Sequence, residues 1–219
     1  MTHHKMLMND RSLLSLLLVE GDTDKIFYDE VKNFSLSSLR CTIKNLEGLY
    51  NINQKIIDCI ENYVVQHKKD TIRLYCCLDR ESRYERVPGF DITIIKKYIK
   101  EQKLINILSI DSIIATQQLE SWFFYDIEGI YRFLKVPQSQ RNPNAFKPPE
   151  KYGYKQLQKL FERNSKTYSK GKRCQSFIKN LNTRKIASNC KELHDGIELI
   201  KLQANDPKNH IFPDKNTKS

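Results

Sequence analysis

Residues 15–24 read SLLLVEGDTD: four apolar residues, Leu16 to Val19, closed by Glu20, Gly21, Asp22 and Asp24. An apolar run ended by turn chemistry predicts a strand buried on both faces, the habit of parallel sheets. Glu20 then lies at the C-terminal tip of that strand, where open α/β sheets place their ligands. A buried strand gains nothing from a charge at its tip, so Glu20 is a candidate for chemistry. Two more stretches repeat the pattern. TIRLYCCLD (71–79) ends in Asp79 with Glu81 two residues on, and LINILSID (104–111) ends in Asp111. Three such strands predict an acidic rim along one sheet edge, and rim carboxylates are the hard oxygen donors that suit Mg²⁺. A single aspartate after a strand more often caps the next helix. Glu20 and Asp79 together, with Asp24 and Glu81 nearby, supply more acid than capping needs.

The segments between these strands have helical periodicity. Residues 22–34 predict a helix with Asp22 as N-cap and Phe27, Val31 and Phe34 on one face. A weaker strand at 40–46 precedes an amphipathic helix over 51–69, and another helix lies near 91–102. Strand and helix in alternation predict a doubly wound, mainly parallel α/β sheet. Glu20 meets Asp79 only if the first and third strands are neighbours, the switch point of a 2-1-3-4 order. Residues 115–136 predict one long apolar helix relaxed at Gly129, carrying Glu120 beside Trp122. Residues 137–154 hold four of the seven prolines and read as a loop. Short helices are expected near 155–163, 171–182 and 186–204. The division is an α/β domain over 1–136, a Pro-rich loop over 137–154, a basic helical extension over 155–206 and a flexible tail over 207–219.

Charge is unevenly spread. The chain has 37 Lys+Arg against 26 Asp+Glu, a net of +11. Residues 135–219 carry 19 basic against 7 acidic residues (+12), and residues 1–134 carry 18 against 19 (−1). The densest part, 151–185, sets 11 Lys/Arg against Glu162 alone, with Tyr152, Tyr154, Phe161, Tyr168 and Phe177 interleaved. Such a stretch is the footprint of a nucleic-acid surface, with Lys166, Lys170, Lys172 and Arg173 as candidate phosphate contacts. Most of its aromatics are better read as core anchors. No apolar run approaches the roughly 20 residues of a membrane span, and the N-terminal MTHHKMLMND lacks a signal-peptide core. The six cysteines have no CxxC spacing, which argues against a disulfide framework or zinc ribbon and for a reducing cytoplasm.

The pattern Val19-Glu20-Gly21-x-x-Asp24, followed after a second βα unit by Leu78-Asp79-x-Glu81, resembles the TOPRIM domain, the Mg²⁺-binding Rossmann-like module of topoisomerases, primases and overcoming-lysogenization-defect (OLD) nucleases. The likeness covers residues 13–111. Gln118–Asp126 and KTYSKGKRC (166–174) are similar to later parts of small stand-alone TOPRIM-like proteins, often encoded beside an ABC-class ATPase and linked to phage defence. The resemblance implies a Mg²⁺- or Mn²⁺-dependent phosphodiester nuclease acting on DNA or RNA. Asp79, Glu81, Asp24 and Glu120 would hold metal, and Glu20 would ligate it or act as general acid/base. Lys170 or Lys172 would neutralise charge on the phosphate. It also implies an ABC-type ATPase partner and admits a homo-oligomer. The usual second motif is Asp-x-Asp. Asp79-Arg80-Glu81 departs from it, moving one oxygen outward by a methylene and placing Arg80 beside the metal. The rival reading is a non-catalytic subunit that docks on an ATPase and holds nucleic acid. The chain has no Walker A sequence, so any ATP hydrolysis belongs to a partner.

Overall fold

The computed structural model describes residues 13–80 and 86–205. Strand β1 (Leu13–Val19) alternates Leu14, Leu16 and Leu18 on one face with Leu17 and Val19 on the other, all buried. β2 (Cys41–Asn45) pairs with one edge of β1, and β3 (Thr71–Asp79) with the other. β4 (Ile107–Ala115) completes an all-parallel sheet of order β2-β1-β3-β4. The fold is Rossmann-like α/β, with its switch point between β1 and β3.

The sheet is covered on both faces. Helices α2 (Ile52–Gln66) and α3 (Ile92–Glu101) pack on the even-numbered residues of β1 and β3. Helix α1 (Asp22–Ser35) covers the other face with the helices that follow β4. These are α4 (Leu119–Phe123), α5 (Ile127–Leu134), α6 (Tyr154–Glu162), α7 (Gln175–Asn180), α8 (Thr183–Asn189) and α9 (Lys191–Asn205). The C-terminal helices share one apolar core with α1 and the sheet: Phe27 touches Trp122 and Phe123, and Phe123 touches Phe177. Phe161, Tyr168 and Phe177 form an edge-on cluster in that core, as expected of anchors. Among the described residues no helix is long and apolar enough to cross a membrane.

Several expectations need correction. β4 does not end at Asp111 but runs on to Ala115, leaving Asp111 in mid-strand opposite Tyr75. The charge is tolerated there because Gln203 of α9 donates to the Asp111 carboxylate at 2.9 Å. The same amide accepts from Tyr75 Oη at 2.9 Å and Ser109 Oγ at 3.3 Å. The rim therefore has two acid-tipped strands, not three.

The long helix over 115–136 is divided into the end of β4, α4, a 3-10 turn at Phe124–Asp126, and α5. Hydrogen bonds to carboxylates, one of them the segment's own Asp126, mark the breaks. Glu192 accepts from the Thr116 amide at 3.2 Å, and buried Asp126 accepts from the Asn182 amide at 2.8 Å and pairs with Lys185. Gly129 permits this, since a Cβ there would lie 2.0 Å from Asp126 Oδ2. The helix near 186–204 is likewise two, α8 and α9, meeting at Cys190. Asp22 is the first residue of α1, not its cap; Gly21 holds the cap position, and Asp22 accepts from Asn45 at 2.8 Å. Phe34 is 47% exposed, with the Arg184 guanidinium over its ring.

Candidate functional site: a carboxylate cluster at the switch point

Register brings the site together. Val19 pairs with Cys77, so Glu20 and Asp79 leave the sheet side by side at its C-terminal edge. Asp79 follows Tyr75 and Cys77 in alternation, which turns it to the face covered by α1 and α4. Asp24 reaches the same place from the first turn of α1, where the helix dipole favours an acid. Glu120, in the first turn of α4, enters from above. The Asp79 carboxylate accepts from the Leu119 amide at 3.0 Å, which ties α4 to the tip of β3 and holds Glu120 over the cluster.

Glu120, a candidate ligand on the family resemblance, is completely buried. Its Oε1 accepts from Tyr168 Oη at 3.1 Å and lies 3.3 Å from Lys170 Nζ, while its Oε2 is buried with no hydrogen-bond partner. Lys170 is the cation the structure brings to the cluster. Its side chain is about half exposed and also lies over the Tyr154 ring, 5.3 Å from its centroid. A hydrogen bond fixes it there: the amide of Gly171 donates to Thr23 Oγ1 at 2.7 Å, fastening the 166–174 segment to the N-terminal turn of α1.

The electrostatics follow from crowding acids in a dry place. Burial, then the charges of Glu20 and Glu120, raise Asp24 from the ordinary 3.8 to about 7, and Lys170 opposes that rise. Burial, then Asp24, Glu20 and Glu120, hold Asp79 well above the carboxylate range against the pull of the Leu119 amide. For Lys170, burial works against the ammonium, but Glu120, Asp79 and Asp24 outweigh it and the pKa rises. Among the described residues, Lys170 is set against the carboxyl groups of Glu120, Asp79 and Asp24, which repel one another.

That imbalance is what a divalent cation relieves. The donors are hard carboxylate oxygens, and Glu120 Oε2 is a buried acceptor without a donor. Among the described residues, however, no three His, Cys, Asp or Glu side chains meet as a preformed metal cage. The set therefore fits Mg²⁺ in the way that ion is usually held, by one or two carboxylates with waters completing the octahedron. Glu81 lies outside the described residues.

The remaining basic candidates are placed differently. Lys172 and Arg173 are exposed on the 3-10 turn Gly171–Cys174, next in sequence to Lys170. Lys166 is committed elsewhere: its ammonium donates to the Phe133 carbonyl at 2.6 Å and lies over the Phe133 ring, closing the C-terminus of α5. Arg80, expected beside the metal, lines a cavity with Val87, Phe90 and Ile114, whose neighbours belong to the core on the opposite face of the sheet. Sequence reasoning missed Thr23 and Tyr168 as supports of the site. Thr23 sits inside the Glu20–Asp24 motif, but nothing local announces a partner 148 residues away; Tyr168 was visible only as an aromatic. Compared with known proteins, the chain matches no family model, no curated protein and no solved structure.

Proposed function

We propose that this protein is a Mg²⁺- or Mn²⁺-dependent nuclease of TOPRIM type that hydrolyses phosphodiesters of DNA or RNA. The observation that carries the reading is the meeting of Glu20, Asp24, Asp79 and Glu120 at one sheet edge with Lys170 as their counter-cation. One or two of Asp79, Asp24 and Glu120 would hold the ion directly and the others through its waters, with Glu20 as a further ligand or the general acid/base. When bound, the ion supplies charge neutralisation for an in-line displacement at phosphorus.

The chain's own groups do the rest. Lys170, half exposed at the rim, offers its ammonium to a phosphate oxygen as negative charge builds. Tyr168 and Thr23 hold Glu120 and the Lys170 segment in place. The excess of basic residues after residue 134 draws in a polyanion that the bare acidic rim would repel. On the TOPRIM reading the protein is a phage-defence effector working with an ABC-class ATPase contributed by another chain.

The test is cleavage of labelled single- and double-stranded DNA and RNA with Mg²⁺, Mn²⁺ or EDTA, with and without the partner ATPase. Metal-dependent cleavage that Asp79→Ala abolishes supports the reading. Nucleic-acid binding without cleavage under every condition, unaffected by metal, would overturn it in favour of a non-catalytic subunit.

A further inference from the structure

The backbone of β3 keeps its alternation one residue past the strand, because the Arg80 amide donates to the Ala115 carbonyl at 2.8 Å. Asp79 and Arg80 are therefore turned to opposite faces of the same sheet edge. On the Arg80 side lies an open cavity of about 480 Å³, within the range of small-molecule sites. Arg80 and Arg86 line it together with Val87, Phe90, Thr93 and Ile114. Arg80 Nε is buried and has no hydrogen-bond partner, and among the described residues neither arginine makes an ion pair within 4 Å. Asp91, the acid on that wall, accepts from the Thr93 amide at 2.8 Å and its hydroxyl at 2.6 Å at the first turn of α3, and it feels the Arg86 charge across the cavity without pairing with it.

We propose that this cavity is a subsite for one nucleotide unit of a single strand, its phosphate held by Arg80 and Arg86 and its base against Phe90. A guanidinium presents a planar fork of donors that matches phosphate oxygens. Two such groups repel a metal cation, and an orphaned buried N–H calls for an acceptor. The apolar wall has no use for a bare inorganic anion. A nucleotide uses both parts, since any base can stack on an aromatic ring. A strand crossing the tip of β3 would then set one phosphate at the carboxylates and hold a neighbouring unit on the far side. That identification of the strand rests on the nuclease reading; the preference of the cavity for a phosphate ester does not.

The experiment is done in EDTA, so that neither metal nor cleavage enters. Binding of a 5′-mononucleotide and of its nucleoside is followed by NMR, and binding of a fluorescent single-stranded oligonucleotide is followed across a salt series. The proteins are wild type, Arg80→Gln, exposed Arg86→Glu, and the double variant, each checked for thermal unfolding. We expect the mononucleotide to bind at least about tenfold more tightly than the nucleoside and the double variant to lose that advantage. Two lost phosphate contacts should also lower the oligonucleotide salt slope by about 1.4. Unchanged oligonucleotide affinity and slope in a folded double variant would overturn the proposal. If the mononucleotide still bound in an arginine-dependent way, its occupant would be a free nucleotide and not a strand. Cleavage by Asp79→Asn in Mg²⁺ is read separately: persistence of cleavage would sink the nuclease reading without touching this cavity.

Discussion

Replacing Asp24 by asparagine should stabilise the metal-free protein, and by an amount that grows with pH. Asp24 is lifted from 3.8 to about 7, first by burial and then by the neighbouring Glu20 and Glu120. Below about pH 4 the carboxyl is protonated in both folded and unfolded chains and contributes nothing. Between about pH 4 and 7 the unfolded chain has lost that proton and the folded one keeps it, so folding stability falls as pH rises. Above pH 7 the loss is complete. A shift of just over three units at about 1.4 kcal/mol each sets a ceiling near 4 kcal/mol. Because Asp24 is only partly buried by surface area, solvent screening reduces the expectation to about 2–3 kcal/mol. Asparagine keeps the shape and removes the charge. Urea unfolding in EDTA from pH 4 to 8 should show wild type losing this much relative to Asp24→Asn, with the divergence confined to pH 4–7. Added Mg²⁺ at pH 8 should raise wild-type stability and affect the variant less, since a ligand stabilises only the state that binds it. Parallel pH curves for the two proteins would refute the electrostatic account of the cluster.

Glu120→Gln should retain the fold and the Tyr168 contact while weakening Mg²⁺-induced stabilisation by at least tenfold in apparent affinity, measured by thermal shift against metal concentration; Glu120→Ala, leaving Tyr168 Oη unpaired, should also cost about 1–3 kcal/mol in urea. Thr23→Val should cost about 1–3 kcal/mol by orphaning the Gly171 amide, and should reduce cleavage by freeing the Lys170 segment, a pairing that parallel unfolding and nuclease assays can check. Lys166→Ala should lower stability by about 1 kcal/mol without altering the salt dependence of nucleic-acid binding, because its ammonium serves the Phe133 carbonyl. Lys172→Ala with Arg173→Ala should do the reverse, leaving unfolding unchanged and reducing the single-strand salt slope by about 1.4 in filter binding.

Period and punctuation alone determined the α/β class and the mainly parallel sheet; the 2-1-3-4 order entered only as the condition for Glu20 to meet Asp79, and the folded sheet meets that condition. A strand buried on both faces is predominantly apolar, and LLLV (16–19) and LYCCL (74–78) meet that requirement, with Arg73 as the buried exception in β3. The same local logic placed Glu20 and Asp79 at one edge, since each is the first charge after such a run. It failed where a distant partner overrode the local pattern. Asp111 looked like a strand end, because nothing nearby shows that Gln203 can satisfy a carboxylate in mid-strand. Residues 115–136 read as one helix, because the carboxylates of Asp79 and Glu192, which capture the Leu119 and Thr116 amides, and the Asn182 amide that Asp126 accepts from, meet the segment only in the folded chain. The sequence places Glu120 on a helix beside Trp122 and cannot show its burial; tertiary packing of α4 on β3 buries it among other acids, and Thr23 on α1 sets Lys170 beside it. Local sequence carries backbone preference and the alternation of faces. Which charges share a buried volume depends on contacts between residues far apart in the chain, and only the folded structure decides that.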